Sequence, residues 1–235
     1  MVTLTENIAS PQDPFVGKYT IMVSSSILDF ENELDEICAY LRILGYNVIC
    51  SKEGTVKADA RLGNFENCYK AVEACDLFLG IVRPYTGSGK EKNGKTVTFN
   101  EFIHARETHK PSWYIVDKRV NWTSEFCREL EIKEAPKGFG CIFSKIWALN
   151  YKIMNARMKK FPRVLDLFRP SKSRRFSTEC FEMEKFVNQV GKYKPTDGVI
   201  RNNWMQYCYS LKDMKTWIET NFKDRAMIES NVKEA

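Results

Sequence analysis

The chain has 235 residues, 43% hydrophobic and 13% aromatic, with a formal net charge of +6. That length and composition suit one folded domain with an appendage and show no low-complexity tract or internal repeat. No run approaches the roughly 18 apolar residues of a membrane helix, so no membrane partner is expected.

The charge is uneven. Residues 151–175, "YKIMNARMKKFPRVLDLFRPSKSRR", hold nine Lys or Arg and one Asp, a local +8, which leaves −2 for the remainder. Such a segment attracts nucleic acid, anionic lipid or an acidic partner. The plainer reading is a solvated helix face plus loop, and nucleic acid is not the favoured partner. Eight cysteines lie at 38, 50, 68, 75, 127, 141, 180 and 208 without a C-x-x-C pair. They read as reduced, buried thiols of a cytoplasmic protein. His104 and His109 point to different helix faces, so no zinc set forms.

Along the chain, residues 1–16 read as a flexible polar leader without the charged-then-apolar order of a secretory signal. "KYTIMVSSS" (18–26) is a buried strand ending in serines. From Phe30, apolar residues recur at Leu34, Ile37, Cys38, Leu41 and Leu44 with helical spacing, and Gly45 supplies the stop. "YNVIC" (46–50) is a second strand, followed by a loop over 51–63. Phe65, Cys68, Tyr69, Val72 and Cys75 mark a second helix. "DLFLGIV" (76–82) is the third strand, and a polar loop occupies 83–97. A helix over about 99–109 and the strand "SWYIVD" (112–117) follow. A helix over 122–131 and a fifth strand or helix start at "FGCIFSKI" (139–146) complete the α/β domain, residues 17–148. A mainly helical extension, 149–235, carries helices near 147–160, 177–190 and 210–222. Ser177 and Ser210 are candidate N-caps, and Ser210-x-x-Asp213 has capping-box spacing.

Strands alternating with helices imply right-handed crossovers and a parallel sheet covered on both faces. The expected fold is α/β, flavodoxin-like, with strand order 2-1-3-4-5. Ligands of such sheets bind beyond the carboxyl ends of the strands, near the switch in strand order.

Two motifs compete for that edge. Gly89 to Thr96 spells G-x-x-x-x-G-K-T, the string whose backbone amides wrap nucleotide phosphates. Its context is poor. The third strand ends near Val82, well before Gly89, and Glu91 sets an anion where phosphate would approach. A glycine- and lysine-rich loop is the better reading. The second motif is Glu101. A carboxylate at this edge suits chemistry at an anomeric carbon, where it stabilises or traps an oxocarbenium-like centre. A helix N-terminus would keep it ionised. Thr98-x-x-Glu101 is also a capping-box spacing, so Glu101 is equally readable as a cap. Asp29 is likewise readable as a stabiliser of the first helix.

Three pieces, "YTIMVSSSILDFENELDEICAYLRILGYNVI", "NCYKAVEACDLFLGIVRPYTG" and "TVTFNEFIHARETHKPSWYIV", together resemble a TIR-like domain family. The resemblance covers about residues 18–118. That family often precedes NACHT or WD-repeat regions and is related to TIR domains and nucleoside 2-deoxyribosyltransferases. The resemblance implies cleavage of an N-glycosidic bond in NAD or a nucleoside, with a role in signalling or defence. The family's glutamate, in an E-[FY]-x-x-A pattern, falls on Glu101. Its serine turn falls on Ser24, Ser25 and Ser26, and its aspartate on Asp29. Phe30, Arg83, Tyr85 and Asn100 complete the expected substrate-binding set, with Arg83 and Tyr85 closing over the substrate. NAD enters as substrate, with no cofactor or metal. Partners beyond the nucleotide would be a second copy or another protein. The alternatives are a deoxyribosyltransferase using Glu101 as covalent nucleophile, and a TIR-like interaction module without catalysis.

Overall fold

A computed structural model describes residues 13–85, 87, 89–91, 94–120, 186–187, 191–193, 201–202 and 204–234. Strands β1 (Thr20–Ser25), β2 (Asn47–Ile49), β3 (Leu77–Val82) and β4 (Ser112–Asp117) alternate with helices α1 (Glu31–Ile43), α2 (Asn64–Ala74) and α3 (Val97–Glu107). A two-stranded antiparallel ribbon joins β5 (Lys192–Tyr193) to β6 (Arg201–Asn202). Strand β7 (Met205–Cys208) and helices α4 (Leu211–Phe222) and α5 (Arg225–Glu234) follow.

The main sheet is parallel throughout, in the order β2-β1-β3-β4-β7. This is the expected 2-1-3-4-5 arrangement, with β7 as its fifth strand. β7 comes from the stretch assigned by sequence to the helical extension. The candidate strand at 139–146 lies outside the described residues, as do the leader to residue 12, the helices at 122–131 and 147–160, nearly all of that at 177–190, and the basic segment 151–175. The place beside β4 is held by β7, paired from Tyr114↔Met205 to Asp117↔Cys208.

Each face of the sheet has its own core. Alternation along a strand sends successive side chains to opposite faces. Ile21, Val23, Leu77, Leu79, Ile81 and Ile115 meet α1 on one face. Met214, Ile218 and Phe222 of α4 and Ile228 of α5 are buried in that same layer, so the C-terminal helices complete it. Met22, Phe78, Val82, Tyr114 and Val116 face the other way, onto α2 and α3. All six residues of β3 are buried, as a central parallel strand requires.

The expected termini of two helices are present. Gly45 ends α1 at φ +101°, a conformation that glycine adopts without steric cost. Ser210 caps α4: its hydroxyl accepts from Asp213 N (3.2 Å), and the Asp213 carboxylate accepts from Ser210 N (3.0 Å). α3 differs from expectation. It starts at Val97, and its N-cap is Thr96, whose hydroxyl accepts from Phe99 N at 3.4 Å.

Gly80, in the middle of β3, sets how closely α3 approaches the sheet. A Cβ there would lie 2.8 and 2.9 Å from the Phe102 ring and 2.9 Å from the Tyr114 ring. The missing side chain is therefore the seat of Phe102. Phe186 closes the cluster from outside, with its ring centroid 4.9 Å from Phe102 and 4.5 Å from Phe99.

Gly80→Ala overpacks this contact. Urea denaturation should show a loss of about 1–3 kcal/mol, the usual range for a methyl forced into a filled core. A change under about 0.5 kcal/mol would mean that α3 has room to retreat.

Candidate active site

The parallel register sets Ser24 beside Gly80. Ser24 has the same parity as Met22, so it faces α2 and α3 in a row of otherwise apolar inward positions. α3, drawn close by Phe102 on Gly80, carries the neighbouring residue Glu101 to this hydroxyl. Ser24 Oγ donates to Glu101 Oε2, and both residues are buried. Cys68, on α2, neighbours the same carboxylate. Three elements distant in sequence thus meet at one acidic group.

This geometry removes one of the two readings of Glu101, the capping box. With Thr96 as N-cap, Glu101 is the fifth residue of α3, and the first turn holds no acid. The capping-box spacing from Thr98 is a coincidence of sequence. The expectation that the helix N-terminus keeps Glu101 ionised also fails, because the dipole's influence fades beyond the first turn. Burial dominates instead and raises the Glu101 carboxyl above its ordinary range, opposed by the Ser24 and Cys68 donors. The Cys68 thiol is pushed up to about 12, by burial first and then by the carboxylate beside it.

The other expected site residues divide between the two faces. Ser26 lies on the α3 side: a Cβ on Gly87 would stand 3.8 Å from Ser26 Cβ and 2.9 Å from Thr98 Oγ1. Its hydroxyl is buried and has no hydrogen-bond partner among the described residues. Ser25 points to the opposite face, and its hydroxyl donates to Ser26 O at 3.1 Å. Arg83 also serves that opposite side. It is 1% exposed, and its guanidinium donates to Leu28 O and, at 3.1 Å, to Asp29 O. It stacks 4.3 Å from the Phe30 ring centroid. Burial, followed by repulsion from Arg119, lowers its pKa.

Arg83 therefore holds the β1–α1 turn. Within that turn Asp29 takes φ +55°, a left-handed conformation that a non-glycine residue keeps only when its surroundings hold it there. The bonds from Arg83 to the Leu28 and Asp29 carbonyls provide that restraint. Phe30, the N-cap position of α1, makes no side-chain cap; Glu31 accepts from its N–H at 3.0 Å. Tyr85 is half-buried beside Arg83 and Arg119. Arg119 grips Asp117 at the end of β4 through Nε, 2.9 and 3.0 Å from the two carboxylate oxygens.

Asn100 turns toward the preceding loop. Its amide donates to Glu91 Oε2 at 3.0 Å, and Tyr69 OH donates to the same oxygen at 3.1 Å. Glu91 thus ties the loop to α2 and α3 from inside the Gly89–Thr96 string. Thr96 serves as helix cap, and Lys95 lies 4.4 Å over the Phe99 ring. A carboxylate held in this way opposes a phosphate at the same loop, and the triphosphate-binding reading receives no support.

The sequence reading misses Cys68 as a site residue, together with the Asp117–Arg119 pair. Cys68 fits the apolar period of α2, which hides it. A chain-distant carboxylate leaves no mark on local spacing.

The raised pKa of Glu101 carries a stability consequence. Folding binds its proton more tightly than the unfolded chain does, so this contribution is full below the ordinary glutamate value of 4.5 and is lost as pH rises through the folded pKa. Glu101→Gln keeps the shape and an acceptor for Ser24 but removes the buried charge. Its Tm should exceed the wild-type value at pH 7–8, with the advantage shrinking as pH falls toward 4.5. A variant less stable than wild type at pH 7.5 would contradict this placement of Glu101.

Comparison with curated proteins and with solved structures finds no match. A family model described as a domain of unknown function, DUF4062, matches residues 20–163, more than half of the chain. That span takes in β1 to β4 and every candidate residue from Ser24 to Asp117, and the chain belongs to the DUF4062 family.

Proposed function

We propose that the chain is a TIR-like enzyme that cleaves the nicotinamide–ribose bond of NAD. The observation carrying this reading is that Glu101 is bound by a serine from the central sheet instead of serving its own helix. The reading is supported by a buried carboxylate beside the carboxyl ends of β1 and β3, near the switch in strand order, the edge at which sheets of this kind take their ligands.

The chemistry follows from charge. Breaking the glycosidic bond sends its electron pair to the nicotinamide nitrogen, which leaves neutral, and develops positive charge on the ribosyl carbon. A carboxylate in a poorly solvated site stabilises that charge far better than one in water. The leaving group starts as a cation, so no general acid is required. Water captures the ribosyl centre in hydrolysis and releases a proton; an internal or external nucleophile gives cyclisation or ADP-ribosyl transfer. Ser24 holds the carboxylate in register. Ser26, on the same side, is a buried hydroxyl without a partner among the described residues and suits a ribose hydroxyl.

Burial also bears on pH. A carboxyl raised by desolvation needs a higher pH to ionise, and the cationic substrate lowers that requirement once bound. The acid limb of kcat/KM should therefore lie above the ordinary glutamate range, and that of kcat should lie lower.

Nicotinamide release from NAD, read by chromatography, tests the proposal. Glu101→Gln should lose about 100-fold or more of the wild-type rate, as for removal of a principal charge-stabilising group. Equal rates would remove Glu101 from the mechanism. Parallel incubation with a deoxynucleoside and a free base tests the deoxyribosyltransferase alternative, in which Glu101 is a nucleophile. Inactivity of the wild type in both assays, including under conditions that favour self-assembly, would leave a TIR-like interaction module. A role in signalling or defence, in the cytoplasm, accompanies the NAD reading.

A further inference from the structure

Glu101 is 4% exposed and Ser26 is 3% exposed. Surfaces that small admit no nucleotide, so the site of the preceding reading is shut at rest. The stretch before α3 lies over it. Gly87, at φ +90°, rests on Ser26 and Thr98. A Cβ on Gly89 would stand 3.6 Å from Val97 Cγ2 and 3.9 Å from the Phe65 ring near the start of α2. Tyr69, four residues beyond Phe65, shares its helix face. The Tyr69 hydroxyl and the Asn100 amide both donate to Glu91 Oε2, at 3.1 and 3.0 Å. Gly87, Gly89 and Glu91 thus step from the end of β1 across α2 to α3.

Two observations mark this as a held position rather than a fixed wall. The buried Ser26 hydroxyl has no partner among the described residues, and an unsatisfied buried hydroxyl costs free energy that contact with water would restore. Gly87, Gly89 and Gly94 have positive φ on the two sides of Glu91, where glycine lets the backbone change course. We propose that Glu91 is a latch: its bonds to Tyr69 and Asn100 hold the loop before α3 closed over Ser26 and Glu101, and their release admits the substrate. The same latch draws the Asn100 amide, an expected substrate contact, toward the loop. Closed chains bind no substrate, so the apparent affinity falls with the fraction that is open. The inference takes its substrate from the preceding reading, but the latch is tested without one.

The test uses the full chain with Ser26→Cys as reporter, alone and combined with Glu91→Ala or Tyr69→Phe. Alanine removes the acceptor; phenylalanine removes one donor and keeps the ring against His104. A small methanethiosulfonate reagent labels the introduced thiol, and peptide mass mapping separates it from the eight native cysteines. With Ser26→Cys alone, labelling should be far slower than in a peptide of the same sequence. Glu91→Ala should speed it roughly tenfold or more, the scale of a hydrogen bond to a charged group, and Tyr69→Phe by a smaller factor. A peptide-like rate with Ser26→Cys alone, or a rate that neither latch variant changes, would overturn the proposal. Melting curves identify any variant that has lost its fold; should that be Glu91→Ala, Tyr69→Phe decides alone.

The second readout is nicotinamide release by chains that keep Ser26. Glu91→Ala should raise kcat/KM by about the factor seen in labelling, with the change carried by KM. In chains that release nicotinamide, faster labelling without a gain in kcat/KM would overturn the gating of substrate. Release by none of them would count against the NAD reading alone, and labelling would still decide the latch.

Discussion

A serine hydroxyl on β1 and a glutamate carboxylate on α3 meet beside the bare backbone of Gly80, and the candidate site is organised around that meeting. A side chain at Gly80 would push Phe102 outward and α3 with it. The close helix–sheet contact puts Glu101 out of water, which raises its pKa and makes it a costly residue in the resting fold. A buried acid with a hydroxyl donor, near the carboxyl ends of the central strands, suits the cationic substrate of the proposed reaction. The same desolvation that weakens the fold strengthens attraction to that cation.

Around this pair the protein fixes the loops on both faces of the sheet. On the α1 face, Arg83 clamps the β1–α1 turn through the Leu28 and Asp29 carbonyls. On the α2–α3 face, Glu91 anchors the loop before α3 through Tyr69 and Asn100. The plane of the sheet divides residues that are close in sequence: Ser24 and Ser25 are adjacent in the chain but serve opposite layers. The C-terminal helices α4 and α5 pack in the α1 layer, while Met205 and Tyr207 of β7 pack against the α2–α3 layer.

Much of this was legible in the sequence because parallel strands buried on both faces leave nearly unbroken apolar runs. β1, β3 and β4 have that character, and Gly45 and Ser210 mark helix ends by mechanisms confined to a few residues. β7 was not legible. It is a four-residue edge strand with only Cys208 buried, and its partner β4 lies some ninety residues earlier. The more apolar 139–146 stretch attracts the assignment in its place. Glu101 is marked by its residue type and its place after β3, but its environment depends on the register of β1 with β3. Arg83 shows the same dependence on distant partners. An arginine at a strand end invites a substrate role, yet backbone carbonyls of a neighbouring turn occupy it.

The claim that a bound nucleotide cation meets an acid held in the protein is open to direct observation. The carboxyl carbon of Glu101 would be monitored by 13C NMR at a pH below its free midpoint. The ligand is an NAD analogue in which a methylene replaces the ring oxygen of the nicotinamide ribose, which prevents cleavage. At saturation the account predicts that the signal moves from the protonated to the ionised position, because the ligand's positive charge stabilises the carboxylate. A signal that keeps its free position while the analogue is demonstrably bound would place the nucleotide elsewhere and contradict the account.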